Sequence, residues 1–119
     1  EPQPDGTLKA LEVLIFPEAM RGAGEGHRPW DLTPGSSMTN ANVEAAVTGV
    51  QGSTLTLAYK GGTQRVVVPA DAPVVTPAPG DPSMVVPGAR IFVSASRQAD
   101  GSLTASRVTV GKDGLAPPM

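Results

Sequence analysis

Residues 43–68 read VEAAVTGVQGSTLTLAYKGGTQRVVV. Three runs, Val43 to Val50, Thr54 to Tyr59 and Gln64 to Val68, are rich in Val, Thr and Leu. Gln51-Gly52 and Gly61-Gly62 separate them. Short Gly-containing breaks between such runs predict two successive hairpins, a β-meander. In the middle run Leu55, Leu57 and Tyr59 alternate with Thr54, Thr56 and Ala58. That period of two predicts one buried face.

Downstream, prolines crowd the chain at 69, 73, 77, 79, 82 and 87. Each one deletes a backbone donor, so no central strand fits there. Pro73 to Thr76 leaves room for a short edge strand. Pro87-Gly88 then marks a turn into a strand over Arg90 to Ser96. Asp100-Gly101 marks a hairpin turn into a strand over Leu103 to Val110. Five short strands with a long connection after the third fit an all-β, five-stranded OB-like Greek-key barrel over 43–110. A β-sandwich fragment is the competing architecture.

Composition agrees with an all-β domain. The chain has 119 residues, 14 Gly and 13 Pro, and its only aromatics are Phe16, Trp30, Tyr59 and Phe92. Its core therefore rests on Val, Leu, Ile and Ala, and long helices are not expected. The formal net charge is −2, and the basic residues are scattered. Nucleic-acid binding wants a basic footprint with stacking aromatics, so no nucleic-acid partner is expected. The longest apolar stretch, Val13 to Phe16, is far too short for a bilayer, so no membrane insertion is expected. Cysteine is absent, which removes disulfides, thiol nucleophiles and zinc ribbons.

An internal repeat ties the two ends together. Residues 5–15 read DGTLKALEVLI and residues 100–110 read DGSLTASRVTV, with Gln3 and Gln98 at the same offset. In both copies the apolar positions change parity midway. Leu8 and Ala10 are out of phase with Val13 and Ile15, as Leu103 and Ala105 are with Val108 and Val110. A shared parity change predicts a β-bulge at the same point of both strands. Chance resemblance between two strands after a DG turn is the bland alternative. The sharper reading makes residues 1–16 the final strand of a truncated preceding repeat. Such a strand exposes unpaired backbone groups. It is expected to add to the chain's own sheet or to form a strand-exchanged homodimer through residues 8–15. The first residue is Glu1 rather than Met, read as a removed signal peptide or a fragment; the repeat favours a fragment.

Between the repeat and the meander, residues 17–42 read PEAMRGAGEGHRPWDLTPGSSMTNAN. This Gly/Pro-rich polar stretch is expected to be a long loop or linker, with Thr33-Pro34-Gly35 as a turn and one helical turn beginning near Met38. The only His and the only Trp lie here among charges. Arg21, Glu25, His27, Arg28, Trp30 and Asp31 are the candidate ligand-binding residues. Arg21 and Arg28 would grip an anionic group and Trp30 would stack on a ring. The packing alternative has Trp30 plugging a barrel interface or capping a barrel's open end, with Asp31 satisfying Arg28 or loop amides. Glu25, His27 and Asp31 are weak metal candidates, since their spacing follows no ligand pattern. A Ser-His-Asp arrangement from Ser36 or Ser37, His27 and Asp31 lacks a nucleophile elbow. The Gly22–Gly26 run lacks the Lys-Ser/Thr of a phosphate loop. No cofactor is expected. The tail, residues 111–119, is expected to be loose or laid along the surface.

The segment DGTLKALEVLIFPEAMRGAGEGHRPWDL, the strands after it and the ending VTVGKDGLAPPM resemble a secreted bacterial family of unknown function built of tandem small OB-like β-barrels. Some of its members go by the name metal ABC transporter permease. This chain has none of the apolar helices a permease needs. The resemblance implies a periplasmic or secreted location and a missing N-terminal barrel. It implies no activity. Three functions stay open: a non-catalytic extracytoplasmic module binding a protein partner or small ligand through 17–42, a metal-dependent domain centred on His27, and a structural tandem-barrel spacer.

Overall fold

A computed structural model of the chain describes residues 1–49 and 52–117. Among them the protein is all-β, with single 3-10 turns at Glu18–Met20 and Pro82–Met84 as its only helical pieces. Two compact units form, Glu1–Pro77 and Ala78–Met119, and the cut falls inside residues 43–110.

The first unit is built on the expected meander. Strands β5 (Asn42–Gly49), β6 (Gly52–Tyr59) and β7 (Gly62–Pro69) pair antiparallel in sequence order. Lys60-Gly61 makes the second turn. Of the other expected break, Gln51-Gly52, Gly52 begins β6, and Gln51 lies with Val50 outside the described residues. β7 stops at Pro69, which has no N–H to continue a ladder. The predicted one-sided burial of β6 is not observed: all eight of its residues are half-buried. β5 is exposed along its whole length, with Val47 71% exposed. Val66, at the centre of β7 and 9% exposed, is the one buried hydrophobic residue among those described.

Residues 8–9 add to this sheet, and residues 13–14 form a separate two-stranded one. β1 (Leu8–Lys9) pairs parallel with β7, Leu8 opposite Val66. β2 (Val13–Leu14) pairs parallel with β8 (Val74–Val75), the short strand expected between Pro73 and Thr76. The amides of Ala10, Val13 and Ile15 donate to the carbonyls of Val67, Pro73 and Val75 at 2.8, 2.9 and 2.8 Å. The acceptor edge is interrupted where the chain turns between Pro69 and Pro73. The added strand breaks at the matching place, residues 10–12.

The second unit holds the hairpin of β9 (Ile91–Arg97) and β10 (Leu103–Val110). Its ladder slips between Ala105 and Arg107, so Ser106 is the bulged residue. Leu11 occupies the equivalent position in the first copy, inside the break between β1 and β2. The parity change thus marks an irregularity in both copies.

The two turns are twins. Gly101 N–H donates to the Gln98 carbonyl at 3.0 Å, and Gln98 N–H donates to the Ser102 carbonyl at 2.8 Å. Gly6 to Gln3 and Gln3 to Thr7 repeat this at 3.1 and 2.9 Å. Gly6 and Gly101 hold φ of 82° and 86°, the left-handed residue of a three-residue hairpin loop. Asp5 accepts from the Thr7 amide and hydroxyl at 2.9 and 2.6 Å, and Asp100 accepts from Ser102 at the same two distances. Pro2 bridges Leu8 antiparallel, as Arg97 pairs with Leu103. The first copy therefore includes the end of a β9-like strand.

The ladders form a four-stranded sheet, β1-β7-β6-β5, and three two-stranded ones, and no ladder closes a barrel among the described residues. At the C-terminus Lys112–Leu115 makes a turn, with Asp113 at φ 54°.

Candidate functional site

The polar segment is not a long loop. Residues 26–40 form a hairpin of β3 (Gly26–Pro29) and β4 (Ser37–Asn40). Met38 lies in β4, so the helical turn expected there is replaced by a strand. Side chains, rather than β-propensity, hold this hairpin together.

The tip is organised by Ser36, which is 5% exposed. Its hydroxyl accepts from the Thr33 amide at 3.1 Å and donates to the Trp30 carbonyl at 3.2 Å. Trp30 N–H donates to the Ser36 carbonyl at 2.9 Å and closes the loop. Thr33 reaches Glu1 Oε1 at 2.9 Å and ties the tip to the N-terminal residues.

The arms are locked by cross-strand pairs. His27 lies opposite Thr39, and its Nδ1 meets Thr39 Oγ1 at 2.8 Å. Its ring stacks on Tyr59, with centroids 6.1 Å apart and planes at 23°. Glu25 Oε1 accepts from the Lys60 amide at 2.7 Å. Glu25 and His27 thus grip adjacent residues at the β6–β7 turn and hold the hairpin against the sheet. Arg28 Nη2 donates to the Gly24 carbonyl at 3.0 Å and approaches Met38 Sδ at 3.8 Å. Asn40 Nδ2 donates to the Ala23 carbonyl at 3.3 Å.

Arg21 donates from Nη1 to Asn42 Oδ1 at 3.5 Å. It pairs bidentately with Glu18 at 2.7 and 2.8 Å, which lowers the Glu18 carboxyl below its ordinary range and raises the Arg21 guanidinium. Both side chains lie in water, so the pair adds little stability. Arg21 thus holds Glu18 while Arg28 holds the Gly24 carbonyl. Asp31 satisfies neither Arg28 nor a loop amide: it is exposed and makes no ion pair among the described residues. Trp30 is half-buried, and its Nε1 is buried without a hydrogen-bond partner among the described residues.

Of the six candidate residues, Glu25, His27 and Arg28 brace the hairpin. Trp30 and Asp31 lie at its tip, and Arg21 pairs with Glu18. No three His, Asp or Glu side chains come close enough to hold a metal ion among the described residues. Ser36 Oγ bonds the Thr33 amide and the Trp30 carbonyl while His27 Nδ1 bonds Thr39, so these two atoms do not bond each other. Sequence reasoning missed Thr39, Tyr59 and Lys60 as partners, because they lie 12 to 35 residues away. The Asp-Leu-Thr-Pro-Gly turn between two arms of equal length was the available signal.

Beside the hairpin lies a cleft of about 200 Å³, open to solvent and lined by Phe16, Ala23, Glu25, Asn40 and Asn42. A second open cleft, of about 360 Å³, lies among Lys9, Leu11, Pro69 and Pro73. No helix among the described residues is long and apolar enough to cross a membrane. Compared with known proteins, the chain matches no family model, and no curated protein or solved structure matches it.

Proposed function

We propose that this chain is a non-catalytic binding module that meets a protein partner through the tip of the β3–β4 hairpin. One observation carries the reading. The tip backbone is fixed internally by Ser36, yet Leu32 is 41% exposed and Asp31 is unpaired among the described residues. A loop ordered in advance loses little conformational freedom on binding, which favours recognition. A small-molecule ligand is the alternative.

The resemblance to a secreted family supports a periplasmic or secreted site of action. For residues 43–110 we retain the five-stranded OB-like order, supported by the β5–β7 meander and the β9–β10 hairpin. Residues 1–16 are read as the final strand of a preceding repeat, supported by the twin turns.

The test places a photo-crosslinking residue at position 32 in the host cell. A discrete protein adduct is expected, absent when the same residue replaces Lys112. The Asp31→Ala/Leu32→Ser variant should lose that partner while keeping its stability within about 0.5 kcal/mol. Equal adducts from both positions, or a double variant as destabilised as Ser36→Ala, would make the tip structural instead.

A further inference from the structure

Each Gln-x-Asp-Gly turn leads into a strand, and only the first of these strands has a neighbour on its far side. β1 and β2 lie against β7 and β8, whereas β10 pairs with β9 alone among the described residues. The bonding pattern shows what the open side of β10 presents. Gln98 and Ser102 are bonded at one end of the hairpin, and Gly111 N–H donates to the Arg90 carbonyl at 2.9 Å at the other. Alternation between these points, with one residue skipped at the Ser106 bulge, turns the amides of Ala105, Val108 and Val110 away from β9.

Their counterparts in the first copy, 95 residues earlier, are Ala10, Val13 and Ile15. These are the three amides that donate to Val67, Pro73 and Val75. The spacing is identical because the irregularity falls at the same place. That matters, since the acceptor edge is itself broken between Val67 and Pro73. A regular strand in register with one half would present the wrong groups to the other. A strand bulged at this position fits both halves.

We propose that the free edge of β10 is a strand-addition surface for the β7–β8 edge of a second copy of this chain. Leu103 would lie opposite Val66, Thr104 opposite Val67, Val108 opposite Val74 and Thr109 opposite Val75. The side chains suit the exchange: Leu103 and Val108 repeat Leu8 and Val13, and both are exposed. β1 and β2 hold the same edge within each chain, so a second copy enters by displacing them. The backbone bonds lost and gained are the same in number. Such exchange of equivalent elements is a low-cost route to a dimer.

The absence of native cysteine makes the test clean. A Leu103→Cys chain is mixed with a Val66→Cys chain under mild oxidation. A second mixture, Thr109→Cys with Val75→Cys, serves in case substitution at Val66 disturbs the fold. Mixed disulfide dimers are expected at several times the background set by Leu103→Cys with Lys60→Cys. Adding Ala10→Pro to the acceptor chain removes one bond of its own strand, and the yield should rise about fivefold. Adding Ala105→Pro to the donor chain should return it to background. Background yields for both pairs, with and without Ala10→Pro, overturn the proposal. So does a yield unmoved by Ala105→Pro.

Discussion

Replacing Val66 with Ala measures where the stability of the Glu1–Pro77 unit resides. Val66 lies opposite Leu8 on β1 and Leu55 on β6, and it is the one buried hydrophobic residue among those described. Val66→Ala deletes two buried carbons, at about 0.8 kcal/mol each, so about 1.6 kcal/mol before any cavity cost. Domain stabilities run from about 5 to 15 kcal/mol, and so little buried surface places this unit at the low end. The loss is then about a third of the total. With a urea slope of about 1 kcal/mol/M, the unfolding midpoint falls by about 1.5 M. Val47, exposed on β5, is the control. Val47→Thr keeps the branched β-carbon and should move the midpoint by less than about 0.5 M. Both variants are read by circular dichroism against urea. Equal shifts for the two, or less than about 0.5 M for Val66→Ala, would refute the idea that stability is concentrated at the middle of β7.

Three further outcomes are expected. Ser36→Ala removes the hydroxyl shared by the Thr33 amide and the Trp30 carbonyl, costs about 1–2 kcal/mol, and should speed amide exchange at Thr33 more than elsewhere. Gly52→Ala should destabilise far more than Gly101→Ala in thermal melts: both glycines hold positive φ, but a β-carbon at Gly52 would also sit 2.2 Å from the Val68 carbonyl oxygen. Asp5 and Asp100 have carboxyls lowered from 3.8, chiefly by the side-chain hydrogen bonds from Thr7 and Ser102. A lowered folded value gives stability that is present above the unfolded value and lost as pH falls through the folded one. Both turns should therefore loosen as the pH falls below the ordinary carboxylate range, each read from its own Thr7 or Ser102 amide resonance. Asp5→Ala should remove the Thr7 response alone.

Much of the sheet was legible because its signals are local. The β5–β7 meander follows from Gly breaks between Val- and Thr-rich runs, and β10 follows from Asp100-Gly101. The repeat even located the bulge, since a parity change needs one extra residue wherever it occurs. The β3–β4 hairpin was not legible. Its arms, Gly26-His27-Arg28-Pro29 and Ser37-Met38-Thr39-Asn40, contain a single β-branched residue and no alternation. They are held by the His27–Thr39 contact, the stack on Tyr59 and the Glu25 bond to Lys60. None of these is visible to local propensity. The partners of the candidate residues were not legible for a related reason. Charge and aromatic clustering in sequence measures proximity along the chain, whereas Arg21 and Glu25 each found a partner in a different direction.

The wet apolar strands also shape the heat this protein exchanges with its surroundings. The heat-capacity step on unfolding comes mainly from apolar surface newly met by water. Val43, Val47, Ile91, Val93 and Leu103 are solvated before the chain unfolds and add little to it. The step therefore falls below the usual ~12–15 cal/mol/K per residue, and the stability curve is shallow, changing little between cold and warm. Any association that covers those strands moves the missing step from melting to binding, where calorimetry reads it as a negative heat-capacity change.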